Sequence, residues 1–159
     1  MQLNKSEIGV LKEMSSIASN YTATALSKLL QAKLNLIVPK ISFLDVEEAK
    51  NSVNDLEEIV AGIYVRVFLR SGAILIVFPK DAALSLVDIL LNKSAGATKT
   101  LDGLEKSTFD EIGNMMASAY ISAIANFLNT KIRQSVPHSA IDMIGALLDT
   151  CLVQVAAQT

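Results

Sequence analysis

The sequence predicts an α+β fold (α/β sandwich-like) in which helices pack on a β-sheet and two halves are related by a pseudo-two-fold axis. Three observations predict this fold class. Two long segments repeat apolar residues at helical spacing, runs rich in Val and Ile follow the first of them, and the pattern that starts at Glu13 recurs from Glu111. With 159 residues, the chain has the size of one domain and can bury its own core.

Composition argues against several classes of protein. Hydrophobic residues make up 51% of the chain and charged residues 19%, which is not the composition of a disordered segment. A net charge of −2 without any basic run argues against nucleic-acid binding. Cys151 is the only cysteine and His138 the only histidine, so the sequence predicts neither a disulfide nor a Cys- or His-based metal site.

The start of the chain does not resemble a signal peptide. Its first 14 residues carry two lysines and two glutamates instead of a long apolar block. No uninterrupted run of about 18 apolar residues occurs elsewhere, as a membrane span would need. We therefore expect a cytoplasmic protein without a membrane partner.

The first long helix is predicted over residues 6 to about 31, with Ser6 as its N-cap. Residues 34–43 are rich in β-formers and contain Pro39, which favours an edge strand or a bulge. Residues 47–57 are polar, and we expect a loop or an irregular edge there.

A β-hairpin is predicted next. Residues 59–69 and 73–78 are rich in Val, Ile and Phe, and residues 70–72 between them read as a short turn. Pro79 is expected to end the second strand, and Asp81 to cap a helix that runs to about residue 91.

After a linker the pattern starts again. Residues 104 to about 128 predict a second long helix, and residues 130–136 a short strand that leads into Pro137. Ser139 is the expected cap of a last helix that runs through Leu152.

The restart is an internal repeat. In each copy a glutamate lies in the first part of a long helix, and a proline follows that glutamate by 26 residues: Pro39 follows Glu13, and Pro137 follows Glu111. Equal spacing without gaps argues against coincidence. A duplicated unit of this kind predicts two halves in equivalent positions.

The chain is expected to form a single domain over residues 1–159. Its first half covers about residues 1–92, its linker about 93–103, and its second half about 104–159. The second half stops before any equivalent of the hairpin, which indicates either divergence or truncation. A short second half and an apolar composition should leave a strand edge or apolar face uncovered, and we expect a homodimer or another chain to cover it.

Three polar residues form the candidate site. Ser107, Glu111 and Asn114 stand at i, i+4 and i+7, in a row on one face of the second long helix. Such a row is most often solvated surface. However, Gly113 lies between two of them, and a mid-helix glycine costs about 1 kcal/mol relative to alanine. It therefore indicates that something approaches the backbone closely there. The opposite face should pack in the core through Ile112, Met115, Ile121, Ile124 and Leu128.

The pattern Ser107-x3-Glu111-x2-Asn114-x22-Pro137 resembles the signature of the CheC/CheX/FliY family of chemotaxis phosphatases. That signature has Asp or Ser, then Glu, Asn and Pro at the same intervals. The surrounding segments EIGNMMASAY and VPHSAIDMIGALLDT also resemble CheC, as does TATALSKLL in the first half, so that the likeness covers nearly the whole chain.

The resemblance implies a phosphatase that acts on an aspartyl-phosphorylated, CheY-like response regulator. Asn114 would orient the attacking water, and Glu111 would dock the regulator by pairing with a lysine. Ser107 and Pro137 would support the site. The resemblance implies no cofactor of its own, because the regulator would supply the divalent metal, Mg²⁺.

The first copy of the signature is degenerate. It reads Gly9-x3-Glu13-x2-Ser16-x22-Pro39, with serine where the family has asparagine. A serine hydroxyl cannot present an amide. We therefore expect the first site to be inactive or much weakened.

The sequence is also compatible with two other functions. CheC-like proteins also bind the receptor deamidase CheD, so that a non-catalytic adaptor that binds CheD or a regulator is the main alternative. Residues 142–152 are the candidate dock for CheD by resemblance. A flagellar switch component like FliY is a weaker alternative, because the chain carries no appended switch domain.

Overall fold

Five helices and three strands make up the part of the chain that the computed structural model describes, residues 4–32, 42, 44, 46–68 and 71–157. In chain order the elements are α1 (Lys5–Leu30), α2 (Val46–Asn51), β1 (Ile59–Phe68), β2 (Ser71–Pro79), α3 (Lys80–Leu90), α4 (Gly103–Phe127), β3 (His138–Met143) and α5 (Ile144–Ala156). The helices pack on the sheet, which is the predicted α+β class.

The three strands form one antiparallel sheet in the order β2-β1-β3. Side chains of β1 alternate between its two faces. The face toward α4, here called the α4 face, carries the fully buried Ala61, Ile63 and Val65. The other face, here called the α5 face, carries Gly62, and Leu147 of α5 packs directly over this glycine.

The two long helices pack against each other in antiparallel fashion, as their contacts show. The hydroxyl of Tyr120 on α4 lies 3.4 Å from the Ser15 hydroxyl on α1. The Thr22 hydroxyl, two turns further along α1, lies 3.4 Å from the Met116 carbonyl, one turn earlier on α4. These contacts join equivalent regions of the two repeats, as a pseudo-two-fold axis requires, although the symmetry itself stays a prediction.

The core lies between the sheet and these helices. Its largest fully buried side chains are Phe109, Ile63, Ile112, Val65 and Val87. The ring of Phe109 meets that of Phe78 edge to face, with centroids 5.7 Å apart. Of the residues expected in the core, Ile112 and Ile121 are buried, and Met115 and Ile124 are half-buried. The expectation was wrong for Leu128, which is 48% exposed because it caps the C-terminus of α4.

Two helix starts differ from the prediction. The N-cap of α1 is Asn4 instead of Ser6, because Asn4 and Glu7 form a reciprocal capping box. The N-cap of α3 is Pro79, which ends β2 as expected, and Asp81 lies inside the first turn without capping it.

The predicted hairpin is confirmed, and its second strand begins earlier than expected. Ser71 and Gly72 belong to β2, where they pair with Phe68 and Val67. The polar residues 47–57, expected to be irregular, include helix α2. The β-rich run at 34–43 lies outside the described residues, apart from Ser42.

The segment between α3 and α4 is held by one buried carboxylate. Asp88 is only 2% exposed, and its carboxylate accepts hydrogen bonds from the backbone N–H groups of Ala97 (3.1 Å) and Thr98 (2.9 Å). The expected linker is therefore tied to the end of α3.

The last two elements correct the prediction for the end of the chain. The named strand follows Pro137 instead of preceding it, and Ser139 lies inside β3 instead of capping a helix. Its hydroxyl accepts a hydrogen bond from Lys106 on α4, which explains its burial without a capping role. Residues 133–135 nevertheless run along β1, with a single bridge between Val67 and Gln134.

A one-residue β-bulge separates that bridge from β3. Tyr64 pairs with His138, and Val67 pairs with Gln134. From the first pair to the second, β1 advances by three residues, whereas the other strand goes back by four. One residue in this stretch is therefore extra, and Pro137 lies within it. If the register of β3 continued, Ser135 would lie opposite Val67 and Gln134 would turn to the α5 face.

Candidate active site

The signature row lies on α4. Ser107 and Glu111 are exposed and Asn114 is half-buried. The Ser107 hydroxyl donates to the Gly103 carbonyl one turn earlier, at 3.1 Å. Among the described residues, the Glu111 carboxylate has no hydrogen bond or ion pair within the chain, so that it is free to meet a partner.

Gly113 holds α4 close to the sheet. A Cβ atom on this residue would lie 2.3 Å from Cγ2 and 2.8 Å from Cδ1 of Ile63 on β1. Something does approach the helix backbone here, as the glycine indicated, and it is a core strand. Glu111 and Asn114 flank this contact, so the helix is fixed against the sheet at the candidate site.

Asn114 has a partner that the sequence did not reveal. The side-chain amide of Gln134 donates one hydrogen bond to Oδ1 of Asn114 (3.0 Å) and another to Oγ of Ser118 (2.9 Å). Gln134 lies outside the signature, and only its closeness to Pro137 in the sequence could have drawn attention to it.

The backbone around Pro137 is anchored on both sides of the bulge. The Ser135 N–H donates to the Arg66 carbonyl at 2.9 Å, and the Arg66 N–H donates back to the Ser135 hydroxyl at 3.0 Å. Pro137 itself is half-buried in the extra loop of chain, a place where a residue without an N–H is tolerated. This agrees with a supporting role, which stays a prediction.

The start of α4 is fixed by Lys106. Its ammonium group pairs with Asp110 at 3.1 Å and donates to the buried Ser139 hydroxyl of β3 at 3.0 Å. The turn that carries Ser107 is thereby joined to the strand that follows Pro137.

The degenerate first site lies on α1. Gly9, Glu13 and Ser16 are all exposed there, and Pro39 lies outside the described residues. Nothing in the described part of the chain brings an amide to Ser16.

Neither a metal site nor a membrane segment is found within the described ranges. No group of three or more His, Cys, Asp or Glu side chains there could hold a metal ion. No described helix is both long and apolar enough to cross a membrane. A surface pocket between the sheet and α5 is lined by Tyr64, Arg66, His138 and Asp142, on the face away from α4.

Comparison with known proteins shows a family likeness in the segment that carries the candidate site. Residues 104–141 match the model of the CheC-like family, and this segment contains all four residues of the second signature. The chain is 24% identical over 157 residues to "CheY-P phosphatase CheC" of Bacillus subtilis (strain 168), covering 97% of this chain and 75% of the relative.

Two solved structures resemble this chain in fold. Thermotoga maritima FliY matches with a TM-score of 0.73 and 22% identity, over 91% of this chain and 72% of that one. A CheC-like superfamily protein from Shewanella sp. PV-4 matches with a TM-score of 0.57 and 12% identity, over 82% and 77% of the two chains. They confirm the predicted fold class.

Proposed function

We propose that this protein stimulates dephosphorylation of an aspartyl-phosphorylated, CheY-type response regulator. The Bacillus relative is named as a CheY-P phosphatase. The observation that carries the proposal is the position of Glu111 and Asn114, which stand one turn apart on α4 inside the segment that matches the family.

The proposed chemistry depends on positioning. Hydrolysis of an acyl phosphate needs a water molecule in line with the bond that breaks, and proteins accelerate such reactions mainly by placement and charge stabilisation. An amide suits this task, because its carbonyl accepts a hydrogen bond from water and its NH₂ group donates one. We assign this role to Asn114. The divalent metal, Mg²⁺, would come from the regulator and neutralise charge on the phosphoryl oxygens.

Glu111 is the proposed docking residue. It is exposed on the same side of α4 and carries no ion pair among the described residues. A charged group of this kind can pair with a lysine of the regulator and set the register of the complex.

The test is phosphate release from a purified, phosphorylated CheY-type regulator. Asn114→Ala should reduce the stimulated rate to that of the regulator alone, with the protein still folded. Glu111→Lys should mainly raise KM, because it places like charges opposite each other. Asn126→Ala, an exposed asparagine on the same helix, is the matched control and should stay at the wild-type rate. A wild-type rate for Asn114→Ala would contradict the mechanism.

An adaptor that binds the deamidase CheD is the alternative proposal. In its favour, α5 contains no fully buried residue and exposes Val153 by 65%. The same assay separates the two functions, because an adaptor would leave the phosphorylated regulator at its own decay rate.

A further inference from the structure

We propose that Gln134 is a positioning residue that holds the Asn114 amide in one orientation for reaction. The proposal rests on the proposed function, because it concerns how Asn114 is presented to the phosphorylated regulator. Gln134 belongs to the segment before Pro137, whereas Asn114 belongs to α4, so the contact joins two separate elements of the fold.

The contact uses both hydrogens of one amide. Nε2 of Gln134 donates to Oδ1 of Asn114 and to Oγ of Ser118, and these two acceptors lie one helical turn apart. With one lone pair of Oδ1 occupied, the NH₂ group of Asn114 points away from Gln134. A second lone pair of Oδ1 remains for water. The Asn114 side chain thus has one orientation before the regulator arrives.

The backbone of Gln134 is itself fixed on both sides. The Phe68 N–H donates to the Arg133 carbonyl at 2.8 Å, and the Ser135 N–H donates to the Arg66 carbonyl at 2.9 Å. Gln134 between them bridges to Val67, the end of β1 that faces α4. The amide is therefore aimed by the central strand of the sheet, which is a rigid support.

Burying the side-chain oxygen of Gln134 costs free energy, and packing alone does not explain why a glutamine occupies this position. Its Oε1 atom is buried and has no hydrogen-bond partner in the described part of the chain. An apolar side chain would avoid an unpaired buried acceptor. In the repeat alignment that pairs Glu13 with Glu111, the residue equivalent to Gln134 is Leu36, and the residue equivalent to Asn114 is Ser16. The copy that lacks the asparagine also lacks its partner.

Loss of the contact should lower turnover and leave docking unchanged. A free asparagine side chain would populate several rotamers, and misplacement of a reacting group costs on the order of tenfold or more in rate. Gln134→Glu keeps the shape but cannot donate at neutral pH, so that the Asn114 amide would turn its NH₂ group toward it. We expect kcat to fall about tenfold in Gln134→Glu and Gln134→Ala, with KM within about twofold of wild type.

A matched control separates positioning from folding. Ser118→Ala removes the second acceptor of Gln134 and keeps the bond to Asn114, so that its kcat should stay within about twofold of wild type. A wild-type kcat in Gln134→Glu, or an equal fall of kcat in Ser118→Ala, would overturn the inference.

A second measurement is independent of activity. The side-chain NH₂ signals of Asn114 in a ¹⁵N–¹H spectrum should shift or broaden in Gln134→Ala and stay in place in Ser118→Ala. If the wild type lacks phosphatase activity but these signals respond, the proposed function fails and the orienting contact stands. If activity is present and the signals do not respond, the contact fails and the function stands.

Discussion

At the scale of single residues, Gly113 has the most demanding position on α4. Its hydrogen atom fills the place where any larger side chain would meet Ile63. Gly9 has the opposite surroundings, because an added Cβ on α1 would have no heavy atom within 4 Å. Two helical glycines of the same chain therefore differ only in what lies beside them.

This pair gives the first stability prediction. Gly113→Ala should destabilise the protein by about 1–3 kcal/mol through overpacking, more than the gain of about 1 kcal/mol from helix propensity. Gly9→Ala, the matched control, should stabilise it by about 0.5–1 kcal/mol. Urea unfolding measures both, and the prediction is wrong if the midpoint of Gly113→Ala rises.

Asp88 is the residue that ties the segment between α3 and α4. Its pKa is lowered, with the Thr98 side chain as the largest cause and backbone N–H groups of the same segment after it, while burial acts in the opposite direction. The Thr98 hydroxyl does not reach a hydrogen-bonding position, whereas the N–H groups of Ala97 and Thr98 do. We therefore attribute the lowered pKa of Asp88 mainly to the backbone N–H donors.

The lowered pKa predicts a pH dependence. Stability from a carboxylate with a lowered folded-state pKa is present above its unfolded pKa of about 3.9, and is lost as the pH falls through the folded value. Asp88→Asn should therefore be less stable than wild type at pH 7, and the difference should shrink below about pH 4. Urea unfolding of both proteins at pH 7 and below about pH 4 measures this difference. An unchanged difference at both pH values would contradict the prediction.

At the scale of elements, the bulge before β3 determines which side chain of the neighbouring segment faces the candidate site. Pro137 lies inside it, and the slip in register decides that Gln134, instead of Ser135, lies opposite Val67. A β-branched residue with an N–H at position 137 would favour a regular strand. Such a strand would turn Gln134 to the α5 face.

This register predicts the effect of Pro137→Val. Phosphatase kcat should fall about as far as in Gln134→Ala, roughly tenfold, because both changes release Asn114. Combining the two changes should add little. Val136→Thr, at a position that is 71% exposed in the same stretch, is the control and should keep wild-type turnover. A normal kcat in Pro137→Val would show that the proline does not fix the register.

The elements also show which parts of the fold were predictable. The long helices and the hairpin follow from local periodicity, so that α1, α4, β1 and β2 were predicted within a few residues. The spacing of Glu111 and Asn114 is likewise local to one helix. The contact with Gln134 depends on a bulge and on pairing with β1, which leave no periodic trace in the sequence. β3 was misplaced because Pro137 was read as the end of a strand.

At the scale of the whole molecule, the internal repeat raises the question of whether the first half is inactive. Glu13 and Ser16 are exposed on α1, which packs against α4. The sequence places serine and leucine where the second half has Asn114 and Gln134. The expected homodimer, or another chain over an uncovered edge, stays a prediction for light scattering to check.

The duplication predicts an asymmetric response to mutation. Glu13→Ala should keep at least about half of the wild-type activity, because its neighbour lacks an amide. In an Asn114→Ala background, Ser16→Asn should recover little activity, because Leu36 cannot donate to the new amide. Phosphate release measures both changes. Strong loss in Glu13→Ala would contradict the inactivity of the first half, and full recovery by Ser16→Asn would show that one amide is enough.

The leucine over Gly62 has a consequence for local stability. A Cβ on Gly62 would lie 2.5 Å from Cδ1 of Leu147. The Leu147 side chain of α5 therefore packs directly against the backbone of β1. The start of α5 is also held by the Ile144 and Gly145 N–H groups, which donate to Glu58 and Leu56. None of its residues is fully buried. We therefore expect α5 to open locally at a lower free energy than α4, which amide hydrogen exchange would detect as faster exchange in α5.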